Sequence, residues 1–208
     1  MGHAHTHDGP VEYNDKQFGK ASPGKIGMWL FLGTDGLSFS GFLIAYAVLR
    51  ASAEGNWPDP VKALGGVELS GFMTFLLICS SVSMVLSIDA CKHKDRKGML
   101  NWLLVTILGG VSFLTIQAYE YYHLSHAMGM TFSTYAHGNN LFSSTFFAIT
   151  GFHGLHVLSG VIYLITMYVL AYRGDFDNGD YNMLEIAGLF WHFVDLVWIL
   201  VFTFVYLL

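Results

Sequence analysis

Thr145-Phe-Phe-Ala-Ile-Thr-Gly-Phe-His153-Gly-Leu-His156-Val-Leu-Ser-Gly160 and Glu185-Ile-Ala-Gly-Leu-Phe-Trp-His192-Phe-Val-Asp195-Leu-Val-Trp198 stand in the last third of the chain. Each is embedded in an apolar run long enough to cross a bilayer. A carboxylate or imidazole in hydrocarbon is costly, so these side chains must face protein, a partner or a water cavity. The polar positions are also ordered. Glu185, Gly188, His192 and Asp195 are spaced by three, four and three, which at about 100° per residue gathers them on one helical stripe. Ile186, Leu189, Phe190, Val194 and Ile199 occupy the other faces. Thr150, His153 and His156 repeat at three in the preceding run and share a face with Ser159 or Gly160.

Working outward, the whole chain has the same character. Of its 208 residues 53% are hydrophobic and only 12% charged, about half the usual charged share of a soluble domain. A helix crossing about 30 Å of hydrocarbon needs about 20 residues. Five runs qualify: Met28–Leu49, Val67–Ala90, Met99–Tyr122, Leu141–Ala171 and Leu184–Leu208. The expected fold is therefore all-α, a polytopic membrane bundle of five transmembrane helices over residues 26–208, after a polar tail at 1–25. The tail has no apolar core of the kind a cleavable signal carries. Its His3, His5 and His7 can bind a transition metal weakly, or simply be solvated. Gly2 followed by Thr6 formally fits an acylation pattern.

Lys16, Lys20, Lys25, Lys92, Lys94, Arg96, Lys97 and Arg173 fall on one side of this topology, against Arg50 and Lys62 on the other. Positive charge stays inside, so the N-terminus is expected in the cytoplasm and the C-terminus outside, in a bacterium the periplasm. The net charge of −5 and the lack of a basic stripe argue against nucleic acid. Cys79 in an apolar run and Cys91 in a basic loop do not suggest a disulfide framework. Gly33, Gly36, Gly41, Gly109, Gly110, Gly151, Gly154 and Gly160 fit close helix contacts, which in lipid depend on small residues.

A hydrogen-bonded cluster of His153, His156, Glu185, His192 and Asp195 would satisfy all these groups and fix helix register. A membrane haem between His153 or His156 and His192 draws on the same imidazoles. Asp35, a third of the way into the first run, is either a proton-active or lipid-contacting site or a satisfied interhelical bond, with Thr34, Ser38 or a neighbouring helix as donor. Glu120, in Gln117-Ala-Tyr-Glu120-Tyr-Tyr, is expected at the interface, held by tyrosines or His123. These residues leave open a free-standing transporter or proton channel using Asp35, Glu120 and Asp195, and a haem-b anchor.

The 145–160 motif resembles the penultimate helix of subunit III of the haem-copper respiratory oxidases. Glu185 with Trp191-His-Phe-Val-Asp195-x-x-Trp198 is similar to that family's last helix, and Gln117-x-x-Glu120-Tyr matches a helix-end motif. Asp35 falls where many members carry a glutamate. The resemblance covers about residues 25–208 and is to the short five-helix bacterial type, without the first two helices of the longer form. It implies a non-catalytic subunit that carries no haem, copper or other metal of its own. Those cofactors would sit on partner catalytic subunits. The chain would pack against catalytic subunit I and other oxidase subunits, hold structural phospholipid, support proton uptake, and belong to a larger respiratory supercomplex in some settings. His153, His156, Glu185, His192 and Asp195 would form the structural polar core, with Asp35 and Glu120 as proton- or lipid-linked groups.

Overall fold

A computed structural model describes residues 22–53, 55–136, 138–177 and 180–208. The tail histidines, Gly2, Lys16 and Lys20 lie outside the described residues. Six α-helices follow in order: α1 (Pro23–Ser52), the short α2 (Pro60–Ala63), α3 (Glu68–Lys92), α4 (Arg96–Ala127), α5 (Asn140–Arg173) and α6 (Asn182–Val201). A π-helical segment, Phe202–Leu207, continues α6. Five helices, counting α6 with its extension, are long and apolar enough to cross a membrane. The protein is an all-helical, integral membrane bundle.

The helices overrun the apolar runs because polar caps carry them into the interface. Ser22 accepts from the Lys25 N–H at 3.4 Å, and Pro23 occupies the first turn where its missing N–H costs nothing. Asp95 caps α4 and Asn139 caps α5. Between α3 and α4 the chain reverses within three residues, with Lys94 in the left-handed region at φ 58°. Gly174, at φ 97°, closes α5, and the N–H groups of Gly174 and Asp175 both return to the Leu170 carbonyl.

Helices α3 to α6 form the bundle proper: α3 packs on α4, α4 on α5, α5 on α6, and α6 closes on α3. The centre is filled by Trp191, Trp198, Phe113, Phe146 and Tyr206, all fully buried. The Trp191 indole occupies a slot between α4 and α5 that only glycine leaves open. A Cβ at Gly110 would stand 2.6 Å from Trp191 Cη2, and one at Gly160 would stand 2.9 Å from its Cε3. Gly154 likewise makes room for the Gln117 amide.

Helix α1 is different. It packs on α5 and α6 and buries only Leu32, Phe39 and Tyr46, one residue every seven. Leu37 is 73% exposed and Leu30 69%. Gly33 and Gly41 have no atom within 4 Å of a built Cβ. The expectation of close helix contact thus holds for Gly110, Gly154 and Gly160 but not for these two, because α1 lies on the outside of the bundle.

Candidate functional site

The polar residues of α5 and α6 do not gather into one network. They separate into three contacts and one lone ring. At the end of the bundle where α1 and α6 begin, Glu185 accepts from Lys25 Nζ at 2.5 Å and from Lys92 Nζ at 3.2 Å. Ser22 Oγ donates to Asn182 Oδ1 at 2.8 Å beside them. This clasp joins α1, α3 and α6 at the rim. Glu185 sits in the first turn of α6, where a carboxylate also suits the positive end of the helix dipole.

Deeper in the membrane, Asp35 of α1 meets His156 of α5, with Oδ1 3.2 Å from Nε2. His156 Nδ1 lies 2.8 Å from the Phe152 carbonyl. A carbonyl only accepts, so Nδ1 carries a proton. Thr34 and Ser38 turn to backbone carbonyls of α1 instead. The group facing Asp35, the His156 imidazole, comes from the neighbouring helix. Asp35 Oδ2 is buried and has no partner among the described residues. Phe39 and Phe152 shield the imidazole, with ring centroids 5.2 and 4.6 Å away.

His192 and Asp195 face α3. Ser81 Oγ is 2.6 Å from His192 Nδ1. Asp195 is 5% exposed, and neither carboxyl oxygen has a partner among the described residues. His153 is fully buried with both ring nitrogens unpartnered, against Trp198 at 5.0 Å and Phe113 at 5.7 Å between centroids. Both nitrogens of His156 are engaged, and Nδ1 of His192 is held by Ser81. No group of three or more metal-ligating side chains is assembled among the described residues.

At the opposite end of the bundle, Glu120 is buried and accepts from Tyr206 Oη at 3.0 Å and Ser70 Oγ at 3.4 Å. The π-helical turn places Tyr206 there; its wider winding changes the side-chain phase at the end of α6. Glu120 also lines a small cavity with Glu68, Tyr119 and His123. Nearby, Gln117 Nε2 donates to the Thr150 carbonyl at 2.8 Å, and Tyr121 Oη bonds Thr150 Oγ1 at 2.7 Å. Tyr206→Phe should lower the unfolding free energy by about 1–3 kcal/mol, the usual cost of an abandoned buried acceptor. A thermal melt of the purified complex superimposable on wild type would show that the bond contributes nothing.

Sequence reasoning missed the hydroxyls of α3. Ser70, Thr74, Ser80 and Ser81 each serve a group presented from elsewhere in the bundle: Glu120, Trp198 Nε1 at 2.9 Å, Trp191 Nε1 at 3.1 Å and His192. The available signal was their density in one apolar run, where each hydroxyl must find a partner.

A family model for cytochrome c oxidase subunit III matches residues 16–208. Three curated relatives are each named a cytochrome c oxidase subunit 3, the first as probable. The protein of Nocardia farcinica is 34% identical over 87% of this chain and 86% of its own length. That of Alkalihalophilus pseudofirmus is 34% identical over 88% of this chain and 85% of its own. That of Synechocystis is 35% identical over the whole of this chain and 81% of its own. With five membrane-length helices carrying both motifs in order, the chain belongs to the cytochrome c oxidase subunit III family, as subunit III of a haem-copper oxidase.

Proposed function

We propose that this subunit has no chemistry of its own and instead supports a proton-translocating oxidase, packing against catalytic subunit I, stabilising it and assisting proton uptake. The haems and copper reside on the partner subunits. The observation that carries the reading is the Asp35–His156 pair, a carboxyl and an imidazole 3.2 Å apart at an interface between two membrane-length helices. A groove of about 400 Å³, lined by Trp29, Leu32, Gly33, Leu189, His192, Phe193 and Leu196, runs between α1 and α6 and offers an apolar bed for a structural phospholipid chain. Glu185, His156 and His192 set helix register through separate contacts, while Asp195 and His153 are buried between the helices.

The membrane is the bacterial cytoplasmic membrane, with the N-terminus in the cytoplasm. In support, Lys25, Lys92, Lys94, Arg96, Lys97 and Arg173 fall at the end where α1, α4 and α6 begin, against Arg50 and Lys62 at the other. The first test is a mild-detergent purification of the native complex through this chain, with mass spectrometry and a reduced-minus-oxidised spectrum. Haem bands together with a copper-bearing catalytic subunit are expected. A lone chain without haem would return the transporter reading, and a lone chain with b-type bands the anchor.

A further inference from the structure

Glu120 is a buried carboxyl at the bottom of an open cavity. It is 6% exposed and lines a space of about 160 Å³ whose other walls include Gly65, Gly66, Glu68, Tyr119 and His123. One water needs about 10–15 Å³ of such space, so there is room for several. Glu68, Tyr119 and His123 are exposed. The cavity therefore runs from the surface, at the end of the bundle opposite the Lys25–Glu185–Lys92 clasp, down to the carboxyl. Beyond Glu120 the bundle is filled by rings. Tyr206 and Trp198 stand 5.8 Å apart between centroids, Trp198 and Phe113 4.7 Å, and Tyr206 and Phe146 5.3 Å, and all four are fully buried. These rings separate Glu120 from His153 and Asp195 deeper in the membrane.

The partners of Glu120 suit either protonation state. As a carboxylate it accepts from Tyr206 Oη at 3.0 Å on Oε2 and from Ser70 Oγ at 3.4 Å on Oε1. A hydroxyl can accept as well as donate. We propose that Glu120 is a proton-exchange site, loaded and unloaded through this cavity from the side of the membrane where α6 ends. A hydrated proton in the cavity passes to Oε1 and leaves a water molecule behind. The new O–H donates to Ser70 Oγ, and the Ser70 hydrogen turns to a carbonyl of the preceding turn, as those of Thr74, Ser80 and Ser83 do. Oε2 keeps its bond from Tyr206. Ser70 and Tyr206 end with the proton counts they began with. The carboxyl thus gains or loses one proton while its bonds to α3 and to the π-helical segment are kept.

The groups around Glu120 leave this exchange open. On its own helix, Tyr119 and His123 line the same cavity with their rings stacked at 6.4 Å, and Tyr121 is bonded to Thr150. From α3, Glu68 lines the cavity as well. Helix α5 has no ionisable side chain between Asn140 and Phe152. Lys62 of α2 is paired with Asp59 at 3.5 Å, and Tyr206 is the one ionisable side chain of the π-helical segment. No lysine or arginine forms an ion pair with Glu120 among the described residues. The carboxylate is held by neutral hydroxyls, which a proton can join, and not by a cation, which a proton would have to displace.

The test is infrared difference spectroscopy of the intact oxidase complex in sealed, oriented vesicles, read at the C=O stretch of protonated carboxyls. Subtracting a Glu120→Gln sample isolates the Glu120 band. It is expected to appear as the medium on the C-terminal side of α6 is acidified, to vanish as that medium is made alkaline, and to shift at once when deuterium oxide is added there. Ser70→Ala and Tyr206→Phe should each move the band to higher frequency, because the acid hydroxyl or the carbonyl oxygen loses its partner. Leu69→Trp, which narrows the cavity, should keep the band and slow its deuterium shift several-fold. Should Glu120→Gln fail to assemble, carbon-13 in the glutamate carboxyls together with the Tyr206→Phe shift assigns the band instead. A complex that keeps its haem spectrum but shows no Glu120 band at any pH, or a band that follows the medium on the opposite side, overturns the proposal.

Discussion

Replacing Gly110 with leucine should abolish the folded subunit, and Trp191→Ala should leave it folded but less stable by about 3–5 kcal/mol, the usual range for truncating a buried aromatic. Both follow from one slot. Lipid gives helices no hydrophobic reason to associate, so this bundle depends on packing and on polar bonds between helices. The indole supplies both: it fills the gap between α4 and α5, and its N–H reaches Ser80 on α3 at 3.1 Å. A side chain on Gly110 strikes the six-membered end of that indole and also Val161 Cγ2, at 2.7 Å from a built Cβ. Neither neighbour can retreat, because Trp191 is fully buried. Accumulation of the subunit in membranes reads the first variant, and thermal inactivation of the purified complex the second. A normal level of Gly110→Leu in assembled oxidase would sink the slot argument, and Gly160→Leu gives the same test from the α5 side.

Asp35→Asn should leave the complex assembled but reduce the number of turnovers it completes before inactivation, by several-fold. The amide can donate to His156 Nε2, so the contact and the seat of α1 survive, while the ionisable carboxyl is lost. Asp35→Leu removes both, leaves His156 Nε2 without a partner, and should additionally loosen α1, at a cost of about 3–5 kcal/mol for a broken buried pair. Comparing the two separates proton function from helix docking. Equal and normal turnover lifetimes in both variants would remove Asp35 from the proton pathway.

The five spans were legible because burial in lipid demands an uninterrupted apolar run, and each observed helix covers its expected segment to within one residue, Val67 capping α3 and Leu208 following the π-helical end. The polar ends were less legible. Hydropathy stops where Lys25, Arg96 and Arg173 begin, although caps at Ser22, Asp95 and Asn139 carry the helices on. The short α2 and the π-helical end of α6 left no periodic signal at all. For the polar site, the stripe on α6 showed which residues share a face but not what that face meets. Glu185 lies on the stripe with His192 and Asp195, yet it pairs at the rim because lysines from α1 and α3 end at its level. Asp35 finds His156 across the fold, and nothing local to either residue announces the other. His153, Asp195 and Asp35 each retain buried polar atoms without a partner, which no spacing rule predicts.

The exposed position of α1 also sets an order of events during synthesis. Its fastening points are Ser22 to Asn182, separated by 160 residues, Lys25 to Glu185, and Asp35 to His156. All three partners belong to α5 and α6, which are made after α1. Helix α1 is thus made before the helices that seat it, and Asp35 crosses that interval without its imidazole. The antiparallel pair α3–α4 forms from neighbours and can close at once, whereas α1 must wait beside it until α5 and α6 arrive. Substitutions at Asn182, Glu185 or His156 will therefore be felt on α1, a helix far from them in the chain.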